Sequence, residues 1–260
     1  MGQVWVKCFG VGDGWPCADR KHASFLYQVG KASILIDCGE PIDSSFKATG
    51  LSYDTIDRIL ISHLHSDHIG GFPMFMQGFW LEERKKELPV HMPAEGIKPI
   101  GELLKASYIF EELLSFKLRF ETLQVRKPIM TKGVRITPYH TAHLEGLRKS
   151  FQKKYRQKFE AFSFLIEAGK LRIAHSADIG KPEDLAPLLT KPLDLLVCEL
   201  AHFEAEDLFV YLREHKIKRL AFTHLARPLW ENLKKTKQLA AKCLPGVDIT
   251  FLRDGDEIGF

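Results

Sequence analysis

Residues 61 to 71 read ISHLHSDHIGG, which packs His63, His65, Asp67 and His68 into six positions directly after the apolar run RILIS. A buried imidazole or carboxylate without a partner is costly, so this density beside a buried segment calls for a shared purpose. In an extended segment, side chains two apart point the same way, and His63 and His65 can converge on one point. Asp67 and His68 follow two residues later, and a bend in the chain can bring them to a second point nearby. Neutral imidazole and carboxylate are ligands for zinc, manganese or iron. Two such centres about 3.5–4 Å apart form a hydrolytic clamp. Gly70-Gly71 lets a helix N-terminus approach closely behind them. A polar surface loop, the bland alternative, does not account for four ligand-type residues at this spacing.

Short strands and helices must position this cluster. VWVKCF (4–9), SFLYQV (24–29), SILID (33–37) and RILIS (58–62) read as strands, the second and third joined by a tight GKA turn. The stretch 73–87, ending in EERKKE, reads as an amphipathic helix, and 96–115 as another. Alternation resumes in FKLRFETLQV and VRITPYH (134–140). The second half repeats the logic. FSFLIE (162–167) and LRIAHSAD (171–178) form a hairpin across Ala168-Gly169-Lys170. A helix at 183–189, DLLVCEL (194–200), a helix at 204–215, KRLAFTH (218–224) and a helix at 230–242 follow. VDITFL and EIGF close the chain as a strand pair joined by Asp254-Gly255-Asp256. No Pro/Gly/Ser-rich linker separates the halves. The reading is an α/β fold in one domain spanning 1–260, with two packed sheets and helices outside.

The bulk numbers agree. The chain has 260 residues, 45% hydrophobic and 27% charged, as expected of a globular chain with a sizeable core. A net charge of +4 is too mild to imply nucleic acid by itself. There is no apolar run long enough to span a membrane, and MGQVWVKCFG lacks the layout of a signal peptide. Position 6 is not Ser or Thr, which argues against myristoylation at Gly2. Cys8, Cys17, Cys38, Cys198 and Cys243 are scattered, odd in number and without a CxxC pair. They fit the reduced thiols of a cytoplasmic protein, with Cys8, Cys38 and Cys198 filling core.

HLHSDH resembles the HxHxDH motif of the metallo-β-lactamase fold hydrolases. FGVGDGWP, SFLYQVGKASILIDCGE and IDRILISHLHSDHIGGFP together resemble the opening of their ribonuclease Z and cyclic-nucleotide phosphodiesterase branch. Later landmarks recur in that branch's order, so the resemblance covers nearly the whole chain. It implies a four-layer αββα sandwich holding two divalent metal ions, zinc first, with manganese or iron as alternatives. It implies Asp178, in AHSAD, as the carboxylate bridging both metals, and His224, in LAFTHL, as a ligand of the second. The remaining ligand lies in ITPYHTAHLEG. A glyoxalase-like reading selects His140 there, whereas the phosphodiesterase-like spacing selects the slightly favoured His143. Asp37 matches an aspartate beneath the metals that holds a ligand or a loop. Glu199-x-x-His202 resembles a segment beside the site, with His202 as a proton donor; a surface or capping role for His202 is an equal alternative. Asp67 and His202 are the candidate catalytic residues. His175 reads as structural, and His22, His91 and His215 carry no usable arrangement.

Arg148 to Lys158, RKSFQKKYRQK, holds six basic residues and no acid. Phase-sharing Phe151, Tyr155 and Phe159 suggest a basic helical insertion at about 145–160. It reads equally as a flap holding an anionic substrate or as a solvated helix face, its apolar side packing as a lid or a homo-oligomer contact. The separate arm with which ribonuclease Z grasps transfer RNA is not recognisable. The expected function is therefore hydrolysis of a phosphodiester or other anionic ester of a small substrate, by attack of a hydroxide bridging the two metals. A large nucleic acid is disfavoured and no membrane is involved. Lactone or thioester hydrolysis and a di-iron redox site of the same fold are the alternatives, followed by metal-stabilised binding without turnover.

Overall fold

The structure is a computed structural model and describes residues 3–260, so the question of Gly2 lies outside the described residues. Contacts group the chain into two compact units, one running to Leu123 and including Arg253–Phe260, the other Gln124–Leu252. Each unit is built on one seven-stranded sheet.

The first unit contains β1 (Val4–Gly10), β2 (Ser24–Val29), β3 (Ala32–Ile36), β4 (Arg58–Leu60), β5 (Leu88–Met92) and β6 (Leu118–Thr122). β1, β2 and β3 form an antiparallel meander, and β3 to β6 run parallel. One face of the sheet buries Leu26, Leu35, Ile59, Ile61, Val90 and Met92 against the helix Phe72–Leu81. That helix contributes Phe72, Phe75, Met76 and Phe79, an i, i+3, i+4, i+7 stripe. Phe75 meets Phe46 and Phe79 at centroid distances of 5.4 and 4.6 Å.

The expected continuation of this helix to residue 87 does not form. Glu83 takes a left-handed φ of 51° and Arg84 turns inward, leaving only 1% of its surface exposed. Its guanidinium donates to the carbonyls of Tyr53, Ile56, Lys86 and Glu87 and lies 5.3 Å from the Phe79 ring centroid. The helix expected at 96–115 stops at Ala106, and LPVHM, where Pro89 and His91 interrupt the apolar run, is the parallel strand β5.

The second unit contains β7 (Ile129–Thr131), β8 (Val134–His140), β9 (Phe162–Ala168), β10 (Leu171–His175), β11 (Leu195–Leu200), β12 (Arg219–Leu225) and β13 (Asp248–Phe251). β7 to β10 are antiparallel neighbours, and β10 to β13 run parallel. Leu196, Cys198 and Phe222 pack against Leu208, Phe209 and Leu212 of the helix Ala205–Arg213. Two expectations need correction. β13 and β14 (Glu257–Gly259) are not a pair: β14 joins the first unit's sheet beside β1. Asp254 anchors the crossing, its carboxylate accepting from the backbone N–H groups of Val11 and Lys21. The basic insertion is helical only over Glu145–Phe151, because Phe151 and Tyr155 find no core and stay 44% and 45% exposed. Like charges at this spacing also repel.

All five cysteines are free thiols, and burial pushes those of Cys8, Cys38 and Cys198 upward, away from a nucleophilic role. Among the described residues no helix is long and apolar enough to cross a membrane.

Two predictions follow from this packing. Arg84→Ala strands four carbonyls and should cost about 3–5 kcal/mol in urea unfolding; a cost below about 1 kcal/mol would show that the clamp is dispensable. His91 accepts a hydrogen bond from Arg58 Nη1 at 2.7 Å. Burial pulls its imidazole down from 6.5 to about 4, opposed by Glu121 and reinforced by Arg58 and Arg119. The folded state thus refuses a proton that the unfolded chain accepts, and stability falls as pH drops from about 6.5 towards 4. Denaturant midpoints should show that slope in the wild type and a shallower one in His91→Gln.

Candidate metal centre

In the first unit the cluster grows from the C-terminal ends of two parallel strands. β3 ends at Ile36, paired with Leu60 at the end of β4. The next residue, Asp37, is fully buried in a left-handed conformation. Its carboxylate accepts from Ser62 N at 2.7 Å, from Ser62 Oγ at 2.8 Å and from His68 Nδ1 at 2.7 Å. A carboxylate only accepts, so the proton of His68 lies on Nδ1 and its Nε2 lone pair faces Asp67 Oδ2, 3.3 Å away. His63 approaches Ser62 Oγ through Nδ1 at 3.1 Å, and its ring lies 4.1 Å from that of His68 and 4.7 Å from that of His65. His65 caps the short helix Ser66–Ile69, which carries Asp67 and His68 on its first turn. Gly71 does what the sequence suggests: a Cβ there would lie 3.0 Å from the carbonyl oxygens of Cys38 and Gly39, so the following helix can start against that turn.

In the second unit Asp178 follows β10 after the left-handed Ala177. Its Oδ2 is ringed by three imidazole Nε2 atoms: His224 at 3.4 Å, His143 at 3.6 Å and His202 at 3.8 Å. His224 is not at a simple strand end. The β11–β12 register passes from Glu199↔Thr223 to Leu200↔Leu225, which leaves His224 as a bulge residue with φ of 50°. A bulge re-aims a side chain in this way. Glu199, buried in β11, accepts from Ile179 N and Ala201 N and holds His202 Nδ1, each at 2.7 Å.

The second unit separates the two competing histidines. His140 ends β8 exposed, near Phe162, whereas His143 turns back to Asp178. Residues missed in the sequence hold that turn. Thr141 Oγ1 donates to the Asp178 carbonyl at 2.8 Å, and Asp184 accepts from both Ala142 N and Gly180 N. These links run over as many as 42 positions, so no local pattern announces them. His175 is buried within β10, His22 meets the Asp13 carbonyl and His215 lies beside Tyr211. The donor set of each unit, imidazoles beside carboxylates, is one that a divalent cation reconciles.

The crystal structure of the metallo-β-lactamase fold protein YhfI from Bacillus subtilis superposes with a TM-score of 0.79, 18% identity and coverage of 99% of this chain and 100% of that one. Human short-form tRNase Z gives 0.72, 17% identity and 98% of each chain. The fold is thus the expected metallo-β-lactamase α/β fold. Ribonuclease Z of Metallosphaera sedula is 25% identical over 95% of this chain and 98% of its own length. With these likenesses the expectation of a metal-dependent hydrolase stands. Residues 5–209 match the family described as anti-Pycsar protein Apyc1, and the chain belongs to that family.

Proposed function

We propose that this chain hydrolyses a phosphodiester at a dinuclear metal centre, with His63, His65, Asp67, His68, His143, Asp178 and His224 as its ligands. The observation that supports this most is the common build of the two clusters. In each unit imidazoles close round a carboxylate at the C-terminal ends of parallel strands, and a further carboxylate, Asp37 or Glu199, holds one imidazole by Nδ1. Zinc suits this set first, with manganese or iron next. Divalent cations held there supply Lewis acidity and a water acidic enough to react near neutral pH.

The chain's own residues supply the rest. Asp67 accepts a hydrogen bond from the attacking water and orients it. His202 has 31% of its side chain open to solvent, far more than His143 or His224. With Nδ1–H held by Glu199, His202 protonated on both nitrogens gives its Nε2 proton to the leaving oxygen and returns to the neutral imidazole. The ribonuclease Z relatives weigh against the small substrate expected from sequence and favour RNA as a second reading. The exposed basic stretch from Arg148 suits either.

Elemental analysis should find two divalent cations per chain, and bis(p-nitrophenyl) phosphate or a short 3′-extended RNA should be cleaved. Asp178→Ala should lose more than the roughly 10–100-fold that removal of a residue behind a ligand costs. Absence of bound metal, or wild-type turnover of neither substrate, would overturn the reading, and the ratio of the two rates decides substrate size. Asp37→Asn retains a side chain that tolerates the left-handed backbone but weakens the hold on His68. Competition against a chelating dye should show metal affinity reduced about 10–100-fold; undiminished affinity would show that Asp37 does not position the ligand.

A further inference from the structure

We propose that Trp15 is the platform on which the base of a nucleotide substrate stacks, a role that rests on the phosphodiester reading above and makes this residue a determinant of specificity. Its ring is 62% exposed and has no ring or hydrogen-bond partner among the described residues. Trp5 and Trp230, by contrast, pack on the core clusters of their units. A bulky aromatic left in water forgoes a large burial energy, so Trp15 is not placed for folding.

The loop that carries Trp15 is built rather than loose. Gly12 N donates to Lys21 O at 2.7 Å, and the Asp254 carboxylate accepts from Val11 N and Lys21 N at 3.0 and 2.8 Å. Arg20 Nη2 lies 3.7 Å from Asp13 Oδ1, and His22 Nδ1 lies 3.1 Å from the Asp13 carbonyl. Between these anchors residues 14–19 are exposed.

The loop also runs against the metal cluster of its own unit. A Cβ added to Gly14 would lie 3.4–3.7 Å from the three carboxylate atoms of Asp67. The backbone at residue 14 therefore rests on that carboxylate, and Trp15 is one residue on, about 3.8 Å along the chain. A phosphodiester held by a cation bound at Asp67 would bring its attached nucleoside within reach of this uncovered residue. Every base has a π face, so such a platform accepts nucleotides without reading their sequence.

The test uses the metal-loaded protein as wild type, Trp15→Phe and Trp15→Ala. Tryptophan fluorescence is titrated with adenosine 5′-monophosphate and with ribose 5-phosphate, which lacks the base. The nucleotide should quench wild type and the sugar phosphate should not, and Trp15→Phe should lose the quenching while its other three tryptophans remain. The KM for the dinucleotide ApA should rise at least about fivefold in Trp15→Ala and recover in Trp15→Phe. Quenching that survives in Trp15→Phe, or that the sugar phosphate equals, overturns the proposal. Wild type that fails to cleave ApA counts against the phosphodiester reading instead, because quenching is read without turnover.

Discussion

The carboxylate of Asp37 is the interaction on which the first cluster hangs. A buried carboxylate is tolerated only when hydrogen bonds replace its lost water, and Asp37 receives three, from Ser62 N, Ser62 Oγ and His68 Nδ1. Those donors come from the end of β4 and from the helix Ser66–Ile69. One side chain therefore fixes the turn, the helix and the orientation of an imidazole together. The Cys38 N–H adds a backbone bond to the His68 carbonyl at 2.7 Å. Asp37 and Ser62 follow closely on sheet strands, and the Asp37 N–H donates to the Leu60 carbonyl at 2.9 Å, which ties the turn back to β4.

The second unit reaches the same end differently. Glu199 sits within a strand rather than after one, and its carboxylate ties the turn that follows Asp178 to the turn that carries His202. Asp37, Ala177 and His224 are all left-handed residues other than glycine, and all lie in or beside a cluster. Each such residue costs of order 1–3 kcal/mol unless its surroundings impose it. At Asp37 three buried hydrogen bonds impose it, and at His224 the strand bulge re-aims the side chain.

The motif HLHSDH was legible because density and two-residue spacing are local properties. The strands around it were legible for the same reason. The choice between His140 and His143 was not, since one ends β8 and the other follows three residues later, and only bonds to residues 178 and 184 fold the second one back. Arg84 was illegible for another reason. In EERKKE it looks like one charge among many, and only the four carbonyls around it distinguish it from its solvated neighbours. Likewise VDITFL and EIGF carry an ordinary hairpin pattern, yet an aspartate in the supposed turn is held by the backbone N–H groups of residues 11 and 21. Charge runs and turn residues state a local preference, and a long-range hydrogen bond can outvote it.

Each cluster is a local liability, because it gathers lone pairs and carboxylates that a protein core would otherwise exclude. Apolar packing on the far side of each sheet must offset that cost, and the unbroken strips Ile59–Ile61 and Leu195–Cys198 lie directly before the ligands or their supports. A cation that reconciles the donors contributes free energy to folding itself, which couples metal loading to stability. His224 shows how finely such a site depends on register: one bulge residue in β12 re-aims its side chain towards Asp178. The segments between the strands are tied as well: Thr141 and Ala142 bond residues 178 and 184, and the Asp254 carboxylate holds the N–H groups of residues 11 and 21.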